Sequence, residues 1–457
     1  MRAIVLAYLI VFLNACSTPP SSIVPPKQVI VVENNCSTVA PYLPVFITKK
    51  KELTPRWISQ NPQDYITNLE LNDINISQNN YENSYFTPWN IKDPKTIKLN
   101  ILWALELYNT QNSYGENFQK RDKIFFDNMR EKINLKEYLT VNKEALTLKA
   151  LNIRALPTNK PLLLDPEKAG EGFPFDYLQN STIAPNKPLL ITHYSKDKAW
   201  AHVVSSFAYG WVRSDNIAII KKEQTQLWQK AKQIFITKDN TPLYSKDGEF
   251  LYKAKLGMML PLIKETNDVY IVLAIAKYKM QKPLFVEVAI SKQDAHRGIN
   301  SFNNKTVLSA LEQLSLSKYG WGGIYSQRDC SSTLRDFFAP FGIWLPRNSY
   351  QQSKVGTVIN LEGLSDSEKI TLIKVRAIPY RTLLYKQGHI VLYVGTDKDR
   401  IIVFQNMWGI KTKEEGKEGR YIIGKALFST LNFGNNLDSY DDNSSIIHNL
   451  KSMNILF

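Results

Sequence analysis

A cysteine at the start of a predicted helix is the first residue whose type and position could do chemistry. The neighbouring Asp329 is a helix-capping residue type, which places Cys330 at the helix N-terminus. Free N–H groups there favour a thiolate and could stabilise an oxyanion, so we expect the pKa of Cys330 to lie below the free-thiol value of about 8.5. The helix itself is predicted from apolar residues at helical spacing, namely Leu334, Phe337, Phe338 and Phe341.

A thiol nucleophile needs a base, and His389 is the best-placed histidine. Among five histidines, it is the one that opens a strongly apolar strand, 389–395, in the same segment as Cys330. The next strand, 401–408, carries Gln405 among apolar neighbours, and antiparallel pairing would bring its amide near His389. We predict a nucleophile, a base and an amide that orients the base. The alternatives are a buried structural cysteine and a satisfied core amide.

Two tandem sets of short strands precede this segment. The first set, within 145–222, includes strands at 188–192, 200–204 and 209–213, separated by polar turns. The second set lies within 223–294 and has the same character. Such spacing predicts two small antiparallel barrels, and the first contains a Trp200…Gly210-Trp211-Val212 pattern that resembles bacterial SH3 domains.

The N-terminus predicts export and a lipid anchor. An apolar run over 3–13 is too short to span a membrane and fits the h-region of a signal peptide, 1–15. The run ends Leu-Asn-Ala-Cys16, which resembles the lipobox of bacterial lipoproteins and implies lipidation of Cys16 and attachment to the cell envelope membrane. A Pro-rich tether, 16–35, follows, and we interpret Cys36 as an unpaired thiol.

Composition excludes several other classes of function. The 457 residues carry a formal net charge of +15, but basic and acidic residues are interspersed, which argues against nucleic acid as a partner. Five histidines and three cysteines are too few and too dispersed for a structural zinc module, and no phosphate-binding loop is present. We therefore expect no metal, no cofactor and a monomer.

Five further motifs lie within 319–430. They are Tyr319-x-Trp321-Gly-Gly, Asp329-Cys-Ser331-Ser, Leu345-Pro-Arg-Asn-Ser349, Gly388-His-Ile and Trp408-Gly. Together they resemble the NlpC family of papain-like cell-wall cysteine peptidases. Two departures are visible: Asn348 stands where the family usually has Asp, and Gln405 stands where it often has His. The segment before the barrels and the barrels themselves resemble a multidomain lipoprotein subgroup with an N-terminal clip and two bacterial SH3 domains.

The resemblance implies a multidomain α+β protein. It would have a helical or irregular N-terminal clip, 36–144, two SH3-like barrels, 145–222 and 223–294, and a papain-like catalytic domain, 295–457. The implied reaction is cleavage of the γ-D-glutamyl–diamino acid bond of peptidoglycan stem peptides. A carboxylate beside the nucleophile disfavours the thiolate unless it pairs with a cation, so we further hypothesise that Asp329 binds the free N-terminal amine of an L-Ala-γ-D-Glu-diamino acid peptide. The rivals are a non-catalytic cell-wall-binding lipoprotein and an acyl-transfer enzyme of the same superfamily. The implied substrate-binding residues are Tyr319, Trp321, Asp329, Ser331 and Ser349.

Overall fold

The computed structural model of the chain describes residues 54–457 except 68, 72–75, 279 and 281. The predicted signal peptide, Cys16, the tether and Cys36 lie outside these residues. In the part of the chain that is described, no helix is both long and apolar enough to cross a membrane. A helical arm, two small β-domains and a C-terminal α+β domain follow one another along the chain.

The N-terminal arm is built of short helices joined by irregular segments, as predicted. Its longest helix is capped by Asp122, whose carboxylate accepts a hydrogen bond of 2.8 Å from the Phe125 N–H, and ends at Asn134 in the left-handed conformation. The apolar face of this helix joins Trp200 and Trp211 of the first barrel in one buried cluster. The helices are α1 (Gln78–Tyr85), α2 (Thr87–Asn90), α3 (Trp103–Leu107) and α4 (Lys123–Ile133).

The first barrel is a seven-stranded antiparallel sheet. The strands predicted at 200–204 and 209–213 form at those residues, because each is a short, largely apolar run bounded by polar turns. Their spatial order is β3-β2-β6-β5-β4-β1-β7. The strands are β1 (Lys143–Thr147), β2 (Leu151–Arg154), β3 (Gln179–Ile183), β4 (Pro188–Tyr194), β5 (Trp200–Val204), β6 (Tyr209–Arg213) and β7 (Ile217–Ile219).

The second barrel follows helix α5 (Lys222–Lys230). Its main sheet has the order β13-β12-β11-β8-β14, and β9 and β10 form a separate hairpin. Strand β14 pairs with β8, so this barrel extends beyond the boundary predicted at 294. The strands are β8 (Gln233–Ile236), β9 (Thr241–Tyr244), β10 (Phe250–Ala254), β11 (Met259–Glu265), β12 (Val269–Tyr278), β13 (Lys282–Ser291) and β14 (Ala295–Arg297).

The C-terminal domain packs helices on an antiparallel sheet of order β15-β20-β16-β17-β18-β19. Strand β18 extends well past the predicted strand at 401–408 and pairs with the long strand β19. The helices are α6 (Asn304–Ser315), α7 (Cys330–Phe338), α8 (Ser349–Gln352), α9 (Asp366–Arg376) and α10 (Ile446–Asn449). The strands are β15 (Thr357–Asn360), β16 (Thr382–Lys386), β17 (His389–Asp397), β18 (Arg400–Glu414), β19 (Lys417–Thr430) and β20 (Leu450–Ile455).

Helix α7 is held against the sheet by its apolar face. Leu334, Phe337 and Phe338 are fully buried and share one cluster with Ile390 of β17 and Phe404 of β18. Burial of each large side chain contributes roughly 1.5–3 kcal/mol. The packing therefore fixes the start of α7 over the strands that carry His389 and Gln405.

Candidate active site

The N-terminus of α7 is defined by a capping box. The Asp329 carboxylate accepts a hydrogen bond of 2.8 Å from the Ser332 N–H, and the Ser332 hydroxyl accepts one of 2.9 Å from the Asp329 N–H. Cys330 is the first residue of the helix, as the sequence predicts. Cys330 shares a buried cluster with Ile390, the residue that follows His389.

His389 is oriented by two further polar side chains. Its Nε2 lies 2.6 Å from Oε1 of Gln405, and Nε2 of Gln405 donates a hydrogen bond of 2.6 Å to the hydroxyl of Ser429. A carbonyl oxygen can only accept, so the proton sits on Nε2 of the imidazole and Nδ1 is left as the basic atom. The prediction that the β17–β18 pairing brings Gln405 to His389 is confirmed.

Burial keeps both reactive groups uncharged in the free site. Burial, with a further contribution from the Asp329 carboxylate, raises the pKa of the Cys330 thiol to about 12. Burial also lowers the pKa of His389 to about 4, against the opposing effect of the Gln405 hydrogen bond. The expectation of a lowered thiol pKa is therefore wrong, because desolvation outweighs the helix N-terminus.

Asp329 is already paired with a cation of the protein. Nη2 of Arg347 lies 2.6 Å from Oδ2 of Asp329, and Nη1 donates to Oδ1 at 3.2 Å and to the Ser331 hydroxyl at 2.9 Å. Nε of the same guanidinium donates to the hydroxyl of Ser181 in the first barrel at 2.7 Å. Sequence reasoning missed Arg347, although it lies in the quoted motif ending at Ser349.

Cys330 lines a cleft of about 790 Å³. The clip contributes Trp103 and Tyr108 to its wall, and the first barrel contributes residues that include Gln179 and Tyr209. Gly388, directly before His389, also borders the cleft. The structure thus brings the predicted site residues to one place, and those that line the cleft are Tyr319, Trp321, Asp329, Cys330, Ser331 and Ser349.

Tyr319 and Trp321 take different positions in this wall. The Tyr319 hydroxyl stays protonated because burial, followed by the nearby Cys330 and Asp329, raises its pKa well above the ordinary value. It can therefore donate a hydrogen bond. The Trp321 indole N–H donates to the Asp176 carbonyl at 3.1 Å, and its ring packs against Phe175 of the first barrel at 5.1 Å. Trp321 thus joins the two domains as well as lining the cleft.

Two glycines allow the first barrel to approach this closely. Gly322 and Gly323 have positive φ angles of 58° and 80°. A Cβ on Gly322 would lie 2.5 Å from the Gln179 carbonyl, and one on Gly323 would lie 2.8 Å from the Thr182 side chain. The Thr182 hydroxyl instead donates to the Gly323 carbonyl at 2.6 Å. The Gly-Gly pair of the Tyr-x-Trp motif therefore positions the cleft wall.

We expect Gln405→Ala to lower kcat about tenfold or more while KM changes little, because the imidazole loses its orienting partner. Ser429→Ala should act in the same direction, since it leaves the Gln405 amide with one buried N–H unpaired. Steady-state kinetics on a stem tripeptide measures both effects. Gln293→Ala, an exposed glutamine of the second barrel, is the control. Wild-type kcat in Gln405→Ala would reduce that residue to a core amide.

Among the described residues, no group of three or more His, Cys, Asp or Glu side chains is placed to hold a metal ion.

Four family models match successive parts of the chain. They are the NLPC_P60 stabilising domain, N term, over 5–138, an SH3 domain of SH3b1 type over 161–213, an SH3 domain of SH3b2 type over 222–267, and the NlpC/P60 family over 317–402. The predicted resemblance and the order of clip, two SH3 domains and catalytic domain are confirmed. No curated protein sequence matches the chain.

One of the similar solved structures shows the same fold. An NlpC/P60 endopeptidase from Photobacterium damselae subsp. piscicida has a TM-score of 0.74 and 23% identity, and the match covers 87% of this chain and 97% of that one. An NlpC/P60 family protein from Bacillus cereus ATCC 10987 has a TM-score of 0.40 and 16% identity, over 60% of this chain and 81% of that one. The first match confirms the predicted multidomain α+β fold.

Proposed function

Because its C-terminal domain belongs to the NlpC/P60 family, we propose that this protein is a cysteine peptidase that cleaves the γ-D-glutamyl–diamino acid bond of peptidoglycan stem peptides. The family and the fold support a cell-wall peptidase, and the SH3 domains are consistent with peptidoglycan binding. The observation that carries the proposal is the 2.6 Å contact of His389 with Gln405 beside the Cys330 thiol. These are the nucleophile, base and orienting group of a thiol peptidase.

The reaction follows from the protonation states of the free site. The Cys330 sulfur attacks the γ-carbonyl carbon of D-Glu as its proton passes to Nδ1 of His389. The oxyanion that forms accepts hydrogen bonds from the Cys330 N–H and the Tyr319 hydroxyl. His389 then protonates the amine of the diamino acid, which leaves, and a thioester remains. Water, deprotonated by the same imidazole, attacks the thioester and releases the D-Glu carboxylate and the free thiol.

Asp329 provides the basis for proposing a substrate with a free N-terminal L-Ala. Within the described residues, its Oδ1 accepts hydrogen bonds from Ser331, Ser332 and Arg347, whereas Oδ2 accepts one from Arg347 alone. A carboxylate offers about four lone-pair sites, so Oδ2 has room for a further donor from the cleft. The cation that the sequence led us to seek in the substrate is partly supplied by Arg347. The substrate amine would therefore add to an existing pair.

A comparison of free and N-acetylated L-Ala-γ-D-Glu-diamino acid tripeptides tests this specificity. A charge-assisted contact is worth roughly 1.5–3 kcal/mol, so acetylation should lower kcat/KM at least about tenfold. The fall in kcat/KM on acetylation should be smaller in Asp329→Asn, a variant that keeps a capping side chain at the start of α7. Mass spectrometry of the products identifies the bond that is cleaved. Equal turnover of both peptides, or efficient digestion of intact sacculi, would contradict the free-amine requirement.

We further propose that the protein is anchored to the envelope membrane through Cys16, which lies outside the described residues. The support is the short apolar run followed by Ala15 and Cys16. Cys16→Ala should leave the protein unlipidated and move it to the aqueous phase in a detergent partition. Cys36→Ala, which removes another thiol in the same N-terminal region, should partition as wild type. Undiminished detergent partition of Cys16→Ala would reject the anchor.

A further inference from the structure

A second, smaller cavity lies where all four domains meet. Its volume is about 80 Å³. Tyr81 of the clip, Lys187 of the first barrel, Lys255 of the second barrel and Arg335 of α7 all line it. A single water needs only about 10–15 Å³ measured in this way, so the space suits a ligand of several heavy atoms. Arg347 borders both this cavity and the cleft.

The walls of the cavity carry more positive charge than the nearby carboxylates neutralise. Arg347 is paired with Asp329, which borders the cleft, at 2.6 Å. Arg328 is paired with both Asp239, at 2.7 Å, and Asp336, at 2.8 Å. The three carboxylates of Asp239, Asp329 and Asp336 therefore neutralise three of the five cations, which leaves two positive charges unmatched. The five cations that line the cavity are Lys187, Lys255, Arg328, Arg335 and Arg347.

The two unmatched charges are those of Lys187 and Lys255, because Arg335 shares Asp336 with Arg328. Within the described part of the chain, neither lysine has a carboxylate within ion-pair distance. Lys187 Nζ lies 3.8 Å from the Tyr85 ring centroid, and Lys255 Nζ donates to the Asn240 side-chain oxygen at 2.8 Å. Burial, followed by the nearby Arg335, lowers the pKa of Lys187 to about 7. A cation in this position is therefore costly without an anion.

Arg335 presents a free donor that is held in place. Its guanidinium stacks on the Phe207 ring at 4.1 Å, and Nη2 donates to Asp336 at 3.3 Å. Nη1 is buried and has no hydrogen-bond partner among the described residues. A fixed guanidinium with an unused N–H is the group that proteins use to bind oxyanions.

We propose that this cavity binds a small tetrahedral oxyanion of the phosphate or sulfate class, held by Lys187, Lys255 and Arg335. The three side chains come from the two barrels and the catalytic domain, so the anion joins them at one point. Because the first barrel also forms a wall of the cleft, the bound anion stabilises the arrangement that shapes the active site. The proposal does not depend on the bond that the enzyme cleaves.

Calorimetric titration of the full chain with sodium sulfate, at constant ionic strength balanced by sodium chloride, tests the proposal. We expect saturable one-site binding and a saturable rise in the melting temperature of wild type. Lys187→Met, which keeps the apolar stem, and Arg335→Gln, which keeps a polar donor, should each weaken binding at least about tenfold, since each removes a charge-assisted hydrogen bond. Lys305→Met, an exposed lysine on α6, should bind as wild type.

Titration with inorganic phosphate and with sodium acetate separates tetrahedral oxyanions from carboxylates, and acetate is expected to bind more weakly. Near-ultraviolet circular dichroism shows whether each variant keeps its packing. If Lys187→Met does not fold, Arg335→Gln alone decides the outcome. Absence of saturable heat in wild type would overturn the proposal, as would an equal sulfate-dependent rise in melting temperature in Arg335→Gln and Lys305→Met.

Discussion

Replacement of Cys330 by alanine is expected to abolish hydrolysis of the stem tripeptide, with a loss of kcat of at least about 10³-fold. In the proposed reaction the Cys330 sulfur forms the covalent bond to the γ-carbonyl carbon, and alanine has no nucleophilic atom to replace it. The thiol occupies a buried site at the start of α7, where alanine fits without strain. Substrate binding should survive because the cleft wall is unchanged. Product formation by mass spectrometry and tripeptide binding by calorimetry measure the two effects separately.

The matched control for this experiment is Cys36→Ala, which removes a thiol that we interpret as unpaired. It should keep wild-type activity. Mass spectrometry of wild type quenched with acid should also reveal the thioester on the peptide that contains Cys330. Residual turnover in Cys330→Ala comparable to that of wild type would exclude the thiol route. An inactive wild type that still binds wall fragments would favour the non-catalytic cell-wall-binding alternative.

The reactive part of the site could be predicted from sequence because local rules determine it. Helical spacing and the capping residue at 329 place Cys330 at the start of a helix whatever the rest of the fold does. A short connection between two apolar strands leaves antiparallel pairing as the simple arrangement, and that pairing brings Gln405 to His389. Ser429 could not be assigned in this way, since its contact with Gln405 depends on the long strand β19.

Features that depend on packing between domains could not be predicted. Ser181 and Arg347 are 166 residues apart in the sequence, and no local pattern indicates that their side chains come into contact. The pKa of Cys330 was predicted in the wrong direction because the helix N-terminus is a local property, whereas burial under the sheet and barrel is a tertiary one. The pairing of β14 with β8 could not be predicted either, because it is carried by three residues without a strong strand pattern.

The buried pair of Arg347 and Asp329 is expected to dominate the stability of the site. Burial alone would raise the pKa of Asp329, yet Arg347 holds that pKa below its usual range. Removal of one partner from a buried ion pair typically costs about 3–5 kcal/mol, because the other charge is left without compensation. Arg347→Met should therefore lower the free energy of unfolding by about this amount, measured by urea unfolding with tryptophan fluorescence.

Two further variants distinguish the contribution of the ion pair to stability from that of the contact between domains. Ser181→Ala removes only the hydrogen bond of 2.7 Å from Arg347 to the first barrel, and should cost about 1 kcal/mol. Asp329→Asn combined with Arg347→Met should be more stable than Arg347→Met alone, because no unpaired charge remains. A double mutant no more stable than Arg347→Met would show that the guanidinium acts mainly through the barrel.

The pH dependence of Arg347→Met supplies an independent check on the same pair. In wild type the depressed pKa of Asp329 means that its stabilising effect is present at neutral pH and is lost as the pH falls through the folded-state pKa. Without Arg347, burial raises the pKa of Asp329, and the carboxyl group can become neutral at a mildly acidic pH. The difference in unfolding free energy between wild type and Arg347→Met should therefore shrink as the pH falls from 7 toward about 4, the ordinary value for a carboxyl. A difference that stays constant over that range would mean that the arginine stabilises the site through contacts other than the carboxylate beside the nucleophile.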